Sequence, residues 1–572
     1  MNGSSDRRRL TRLALQEAVR SGRAIAASGP WTRFRTPIPQ RVLFAPQDLR
    51  TADPTVAADI YAGHFVFAGR ALATGGRSPF DFPAPSDGWG EAFYGFGWLR
   101  HLRAADTALA RANARALVDE FIGKGRGDKR FARRPHVLAR RMLSFLSQSP
   151  LILEQADHVP YQRFMRMLGR GVQDLERSLR AGAMPPCAQL FVLIALAYAG
   201  LCCEGFDALQ ERATQRLARE LDRQFLPDGG HVSRNPCLMV ELLLDLLPLR
   251  QIYASRGVEP PQALVRTIDG MLAMLRLFRH GDGTLAHFNG MGHTRMDRLA
   301  TLLIYDDARN RPMPRAPHSG YERLEAGTTL VTADVGAPPP IRQSAKAHAG
   351  CLSFELSSGT HRIVVNCGAP QGNGTTLQAA RSTAAHSTAT VAETSSCRFL
   401  APYGSRVERR LATWLLRRLG AVVIDGPAVV PVERGEGSLS ASHDGYRASF
   451  ALTHRRTWRL SPDGARLEGE DVFVRDQGEM DVDDVTIRFH LHPSVTSSLA
   501  ENGGSIKLVL PNGEAWRFDA GPVEARIEES VFFAASDSAR RTQQIVLAVK
   551  AAQTPGVPWR FERLAEAGAG GR

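Results

Sequence analysis

The sequence predicts an N-terminal incomplete α/α toroid followed by a C-terminal antiparallel β-sandwich. Three observations carry this fold class. Apolar residues recur at i, i+3 and i+4 from about residue 30 to 310, a strand-like alternation takes over from Tyr321, and the Pro-rich connector RPMPRAPHSG lies between them. At 572 residues the chain has room for two or three domains, each with its own core.

The first segment, LTRLALQEAVRSGRAIA, is a basic amphipathic helix with Leu10, Leu13, Leu15 and Val19 near one face. Gln16, Glu17, Arg20 and Arg23 interrupt its apolar run, so no signal-peptide core is expected there. Seven or so helical stretches follow, from DTALARANARALVDEFIGKG to PQALVRTIDGMLAMLRLFRH, divided by turns such as AGAMPP, LPDGGH, GVEPP and HGDGT. Short turns between consecutive helices imply antiparallel hairpins, the unit of a toroid. Beyond the connector, segments such as CLSFELSSGTHRIVVNCG, GARLEGEDVFV, DVTIRFHLHP and QQIVLAVK alternate like strands, with Pro462-Asp463-Gly464 and Pro511-Asn512-Gly513 as turns. Many strands without intervening helices predict a sandwich. The resulting division is a basic N-terminal segment (1–30), a helical domain (31–311), a β-sandwich domain (312–562) and a flexible tail (563–572).

Lys and Arg number 72 against 58 Asp and Glu, a formal charge of +14 that favours anionic partners. The basic residues are dispersed rather than interleaved with aromatics on one element, so no nucleic-acid partner is expected. The seven cysteines form no CxxC motif and read as small buried hydrophobes. No apolar run is long enough to span a membrane.

Several segments together resemble the heparinase II/III-like family. AHAGCLSFELSSGTHRIVVNCG (347–368) resembles the family's HxHADxLSFEL signature, and ARSTAAHSTATV (380–391) resembles its later motif leading to a His and a Thr. HVLARRMLSFL and FLPDGGHVSRNP are similar to the family's Arg-Arg helix and Asp-Gly-Gly-His turn. The resemblance spans roughly residues 90 to 550. It implies β-elimination on an acidic, uronate-containing polysaccharide. A base removes the proton beside the carboxylate, an acid protonates the departing oxygen, and cationic groups neutralise the carboxylate as charge flows into it.

Carried over residue by residue, the resemblance implies a clamp of Arg234 and Asn235, with His231, Lys346 or His348 exchanging protons. Lys346 stands where the family has its first His, and would act as a base only if buried. A structural zinc site is implied at His348, Asn366 and His386, with Asn366 in the place of the family's Asp. The family's Asn-His pair is replaced around Met184, Pro185, Pro186 and Cys187, and no Tyr follows Arg234. The family setting implies the periplasm or cell envelope; the lack of a visible export signal makes the cytoplasm the alternative.

Two further clusters stand out. HGDGTLAHFNGMGHTRMD gathers His280, Asp282, His287, Asn289 and His293, either lining a cleft or forming a polar connector with Thr294 capping the next helix. Trp89, Phe93, Tyr94, Phe96 and Trp98 suit either sugar stacking or a hydrophobic seam. His443, His454, His490 and His492 are expected to be structural. Two rival functions remain: a glycan-binding protein that kept the scaffold without the chemistry, and a glycoside hydrolase drawing on Asp87, Glu91, Asp228 or Glu241.

Overall fold

The computed structural model describes residues 3–125, 127–306, 311–475 and 484–565, apart from 28–37, 183, 371–374 and 501–503. Most of the expected tail therefore lies outside the described residues.

The helical half is built around Pro186–Cys202, a helix apolar on every side and buried along its length. A helix of that composition has to be surrounded. It packs against Pro135–Ser147, His158–Ala181, Asp207–Gln224 and Pro236–Ser255, and Gln262–Phe278 closes on the last two. Proline opens three of these helices in the first turn, where its missing N–H costs nothing. The sequence did not suggest the hairpin of His64–Phe67 with Arg70–Ala73 that also lies in this half.

The β half contains two antiparallel sheets. One has eight strands, running in space from Val432–Gly435 through Ser438–Tyr446, Leu452–Leu460, Arg466–Arg475, Gly556–Arg563, Ala515–Asp519 and Ser505–Val509 to Thr496–Leu499. The other has nine, with Phe354–Ser358, His361–Val365 and Asp484–Leu491 near its centre. Their inner faces share a core that includes Phe354, Trp458, Phe489, Trp516 and Trp559. Gly469 is required there, because a Cβ at that position would lie 2.1 Å from the Trp559 ring. Within the same core Asp471 accepts from Arg456, His454 and Trp559, so the charge pair is enclosed but fully hydrogen-bonded. His454 is thus structural, as expected.

The β half also holds a helix that the strand alternation hid, Arg406–Leu419, opened by a Ser405–Glu408 capping box. The N-terminal helix Gly3–Ala27 packs on both this helix and His158–Ala181, so it bridges the two halves. Leu10, Leu13 and Ala14 join Ala412 and Leu415 in a small separate core. Of the four apolar residues expected on one face, Leu15 and Val19 are instead exposed.

Candidate functional site

The helical and β halves meet along the loop 280–293, and most of the candidate residues lie on or beside that seam. At its centre is Glu355, on the strand Phe354–Ser358 and fully buried. One carboxylate oxygen contacts His280 Nε2 at 3.0 Å, and the other accepts from the backbone N–H groups of His287 and Asn366 at 3.1 and 2.9 Å. His287 Nδ1 lies 3.2 Å from the same oxygen and 3.1 Å from Arg362, which also pairs with Asp282. Burial opposes ionisation of Glu355, but the nearby His287 and His280 outweigh it and hold its pKa well below the usual carboxylate range. The histidine-rich loop is therefore a docking element between halves, with its polar atoms turned inward. Thr294 does not cap the following helix; its hydroxyl accepts from Leu285 N–H at 3.0 Å, and Arg295 takes the cap position.

Arg234 lies beneath the same seam in a left-handed conformation, φ 57°. Its guanidinium donates to the carbonyls of Ser319, Gly320, Gly336 and Ala337 and to Asp334 at 2.5 Å. Those are all five of its N–H donors. Its planar face lies 4.6 Å from the Tyr321 ring centre. This corrects the expected carboxylate clamp: Arg234 fastens the helical half to the first strands of the β half and has no donor left for a substrate.

His231 is corrected on the same ground. Its Nε2 meets Gln224 Oε1 at 3.0 Å, and its Nδ1 accepts from Ser233 N–H at 3.0 Å, beside the Ser233 hydroxyl. With both nitrogens occupied and burial pushing its pKa down to about 3, it braces the Asp228-Gly-Gly turn instead of exchanging protons. Asn235 caps the helix Pro236–Ser255, its Oδ1 accepting from Cys237 and Leu238 N–H at 2.9 and 3.4 Å.

Lys346 is exposed, so it lacks the buried setting a lysine base requires. Its surroundings still give it a meaning. Gly290 is wedged between Asn235 Nδ2 and the Lys346 carbonyl, so the structure does bring Asn235 and Lys346 together. Cys187 is half-buried and Cys237 exposed, against the expectation of buried cysteines. Desolvation still pushes both thiols up, and the Lys346 charge acts on both in the opposite sense. Lys346 therefore stands near two helix N-termini, one at Pro186 and one at Pro236. Such a corner is electrostatically positive.

The expected metal ligands are close together but committed to one another. His386 Nδ1 lies 2.7 Å from the Ser382 carbonyl and so carries the hydrogen. Its Nε2 is then the acceptor for His348 Nδ1–H, 3.0 Å away. Asn366 Oδ1 accepts from Ser387 N–H at 3.0 Å, while Nδ2 faces Glu355 at 3.5 Å. Zinc would need the His386 Nε2 lone pair, which accepts from His348, and the Asn366 oxygen, which accepts from Ser387 N–H and keeps a second lone pair. Among the described residues no group of three His, Cys, Asp or Glu is disposed to hold a metal. The His348–His386 hydrogen bond would have to open before this set could hold zinc.

The hydrolase carboxylates are also locally engaged: Asp228 with Ser319, Asp87 and Glu91 with Arg134, and Glu241 with Arg50 and Arg298. Trp89, Phe93, Tyr94, Phe96 and Trp98 are buried and stack among themselves, which makes them the hydrophobic seam. Glu355, Asp334 and Arg362 were not singled out from the sequence. The available signal was a lone carboxylate in each of two otherwise uncharged strands, TLVTAD and CLSFELSS.

A helical half joined to a β-sandwich by this seam is the architecture of a polysaccharide lyase scaffold. The chain belongs to the heparinase II/III-like family. Residues 308–560 match the pattern described as heparinase II/III-like, C-terminal. The chain is 32% identical over 539 residues to FtsZ-localized protein C of Caulobacter vibrioides, covering 91% of this chain and 90% of that protein. Its fold is similar to a crystal structure of heparinase III, with a TM-score of 0.69 at 11% identity over 93% of this chain and 88% of the other. It is also similar to heparan sulfate lyase HepC from Pedobacter heparinus, with a TM-score of 0.61 at 13% identity over 97% and 88%. No described helix is long and apolar enough to cross a membrane.

Proposed function

We propose that this protein keeps the lyase scaffold without the elimination chemistry and works as a non-catalytic binding component located with FtsZ. The observation that carries the reading is the closure of the site. Arg234 has no free donor, His231 and His386 have no free nitrogen, and Lys346 is not buried. Elimination needs a base and a charge-neutralising clamp that meet at one substrate. Among these described residues Arg234, His231 and His386 are fully engaged; the one free imidazole lone pair, His348 Nε2, is buried, and the one free cation, Lys346, is exposed. The similarity to FtsZ-localized protein C extends across both halves and favours a role beside FtsZ. The positive corner at Lys346 is compatible with an anionic ligand retained as cargo or anchor, an acidic glycan included.

The test is a fluorescent fusion imaged with labelled FtsZ in dividing cells, together with co-sedimentation of the purified protein with FtsZ polymers. The reading expects a mid-cell band and co-pelleting. A fusion confined to the periplasm, or no co-pelleting and no mid-cell signal, contradicts it; the same images separate the periplasmic from the cytoplasmic expectation.

A further inference from the structure

The helix Arg406–Leu419 sets arginines around Trp414 on one element, which corrects the expectation that the basic residues are dispersed and not interleaved with aromatics. Arg406, Arg409, Arg410 and Arg417 are exposed at helical spacings that put them on one side, around the half-buried Trp414. They line a groove of about 320 Å³. Elsewhere most arginines are matched: Arg234, Arg50, Arg134, Arg298 and Arg434 each meet a carboxylate. Among the described residues these four guanidinium groups have no carboxylate partner. The single acidic residue of the helix, Glu408, is turned back into the capping box. Arg418 stacks on Trp414 at 4.7 Å and reaches Ser21 of the N-terminal helix, whose exposed Arg7 acts on Glu408.

We propose that this face docks an acidic peptide segment of a partner protein. Charge complementarity selects an anionic occupant, since unneutralised arginines at close spacing repel one another and gain from shared carboxylates. The groove and the ring at its floor suit an extended acidic segment carrying an occasional apolar side chain. A lipid surface fits less well. An interfacial helix inserts its apolar face among acyl chains, but Ala412 and Leu415 are already buried against Leu10, Leu13 and Ala14. The inference stands apart from the question of elimination, because the helix lies outside the seam around Glu355.

The experiment measures fluorescence anisotropy of a labelled poly-glutamate peptide on the full chain. Two charge-reversed variants are compared: Arg409→Glu with Arg410→Glu, and a control on another exposed helix, Arg216→Glu with Arg219→Glu. Vesicles of phosphatidylglycerol are run in parallel, and circular dichroism and the denaturation midpoint check folding. The proposal expects peptide binding that weakens steeply with salt, drops about tenfold or more in the Arg409/Arg410 variant, and persists in the control. Equal losses in the two variants overturn it, because bulk charge would then be responsible. Vesicle binding that depends on Arg409 and Arg410 without peptide binding also overturns it, and so does the absence of both.

Discussion

His348 donates its Nδ1 hydrogen to Nε2 of His386 across 3.0 Å, and the pair is closed on itself. His386 is anchored on its other side by the Ser382 carbonyl, which fixes the tautomers of both rings. Burial pushes the His386 pKa down to about 4 and that of His348 well below its usual value, so both are neutral at physiological pH. What remains is one lone pair, at His348 Nε2, buried and without a hydrogen-bond partner.

That arrangement predicts indifference to zinc. A ligand present at about 100 times its Kd would stabilise the fold by about 2.7 kcal/mol. Calorimetry with and without saturating zinc should show the same Tm, and a clear rise would mean that the His348–His386 bond opens to admit a metal.

Asn366 is the amide partner of Glu355, and Asn366→Asp would set a second carboxylate 3.5 Å from the first in a buried space. We expect a loss of about 2–4 kcal/mol in denaturant unfolding. Adding Glu355→Gln should recover part of it, because one of the two charges is removed. A neutral Asn366→Asp variant would contradict the arrangement.

Arg234→Ala leaves Asp334 buried without its cation and removes the guanidinium donor from four carbonyls, of which Gly320 keeps Val335 N–H. Breaking such a pair costs about 3–5 kcal/mol. Because Arg234 joins the two halves, the midpoint should fall for helix and sheet signals together. If stability were unchanged while glycan binding was lost, the clamp role would be restored.

Acid should destabilise the fold before its carboxylates titrate. Burial holds His231 and His490 down at about 3 and His386 at about 4, against an unfolded value near 6.5. Between pH 6.5 and about 4 the unfolded chain binds protons that the native one refuses. Each of these histidines then removes stability at up to about 1.4 kcal/mol per pH unit as pH falls. Glu355, with its folded pKa depressed, adds a further loss once pH drops below its unfolded value. Denaturation midpoints measured from pH 7 to 4.5 should decline steadily, and a flat profile would refute the neutral buried histidines.

Much of the fold was legible because periodicity is a local property. The all-apolar run at residues 190–202 could only be an enclosed helix, and the alternation after Tyr321 could only be strands. Arg406–Leu419 escaped because it is one helix among strands, and its apolar side is completed by Leu10 and Leu13, some four hundred positions earlier. The site was legible only as an address. Motif matching brought His348, Asn366 and His386 to one place, and the structure agrees that they are neighbours. It could not show that His386 faces His348, that Asn366 answers Glu355, or that Lys346 is exposed, since those depend on strands and loops distant in sequence. Arg234 illustrates the same limit: a lone Arg after an Asp-Gly-Gly turn reads as a clamp until its five acceptors, contributed by residues 319–337, are in place.

We propose a scaffold without elimination chemistry. Its most direct test is ultraviolet absorbance of the purified protein incubated with a panel of uronate polysaccharides, beside an active lyase of the same fold. Elimination leaves a conjugated double bond that absorbs in this range. A flat trace is expected for every glycan while the reference lyase rises. A rise that disappears in a Lys346→Ala, His348→Ala double variant would contradict it and restore the seam as an active site.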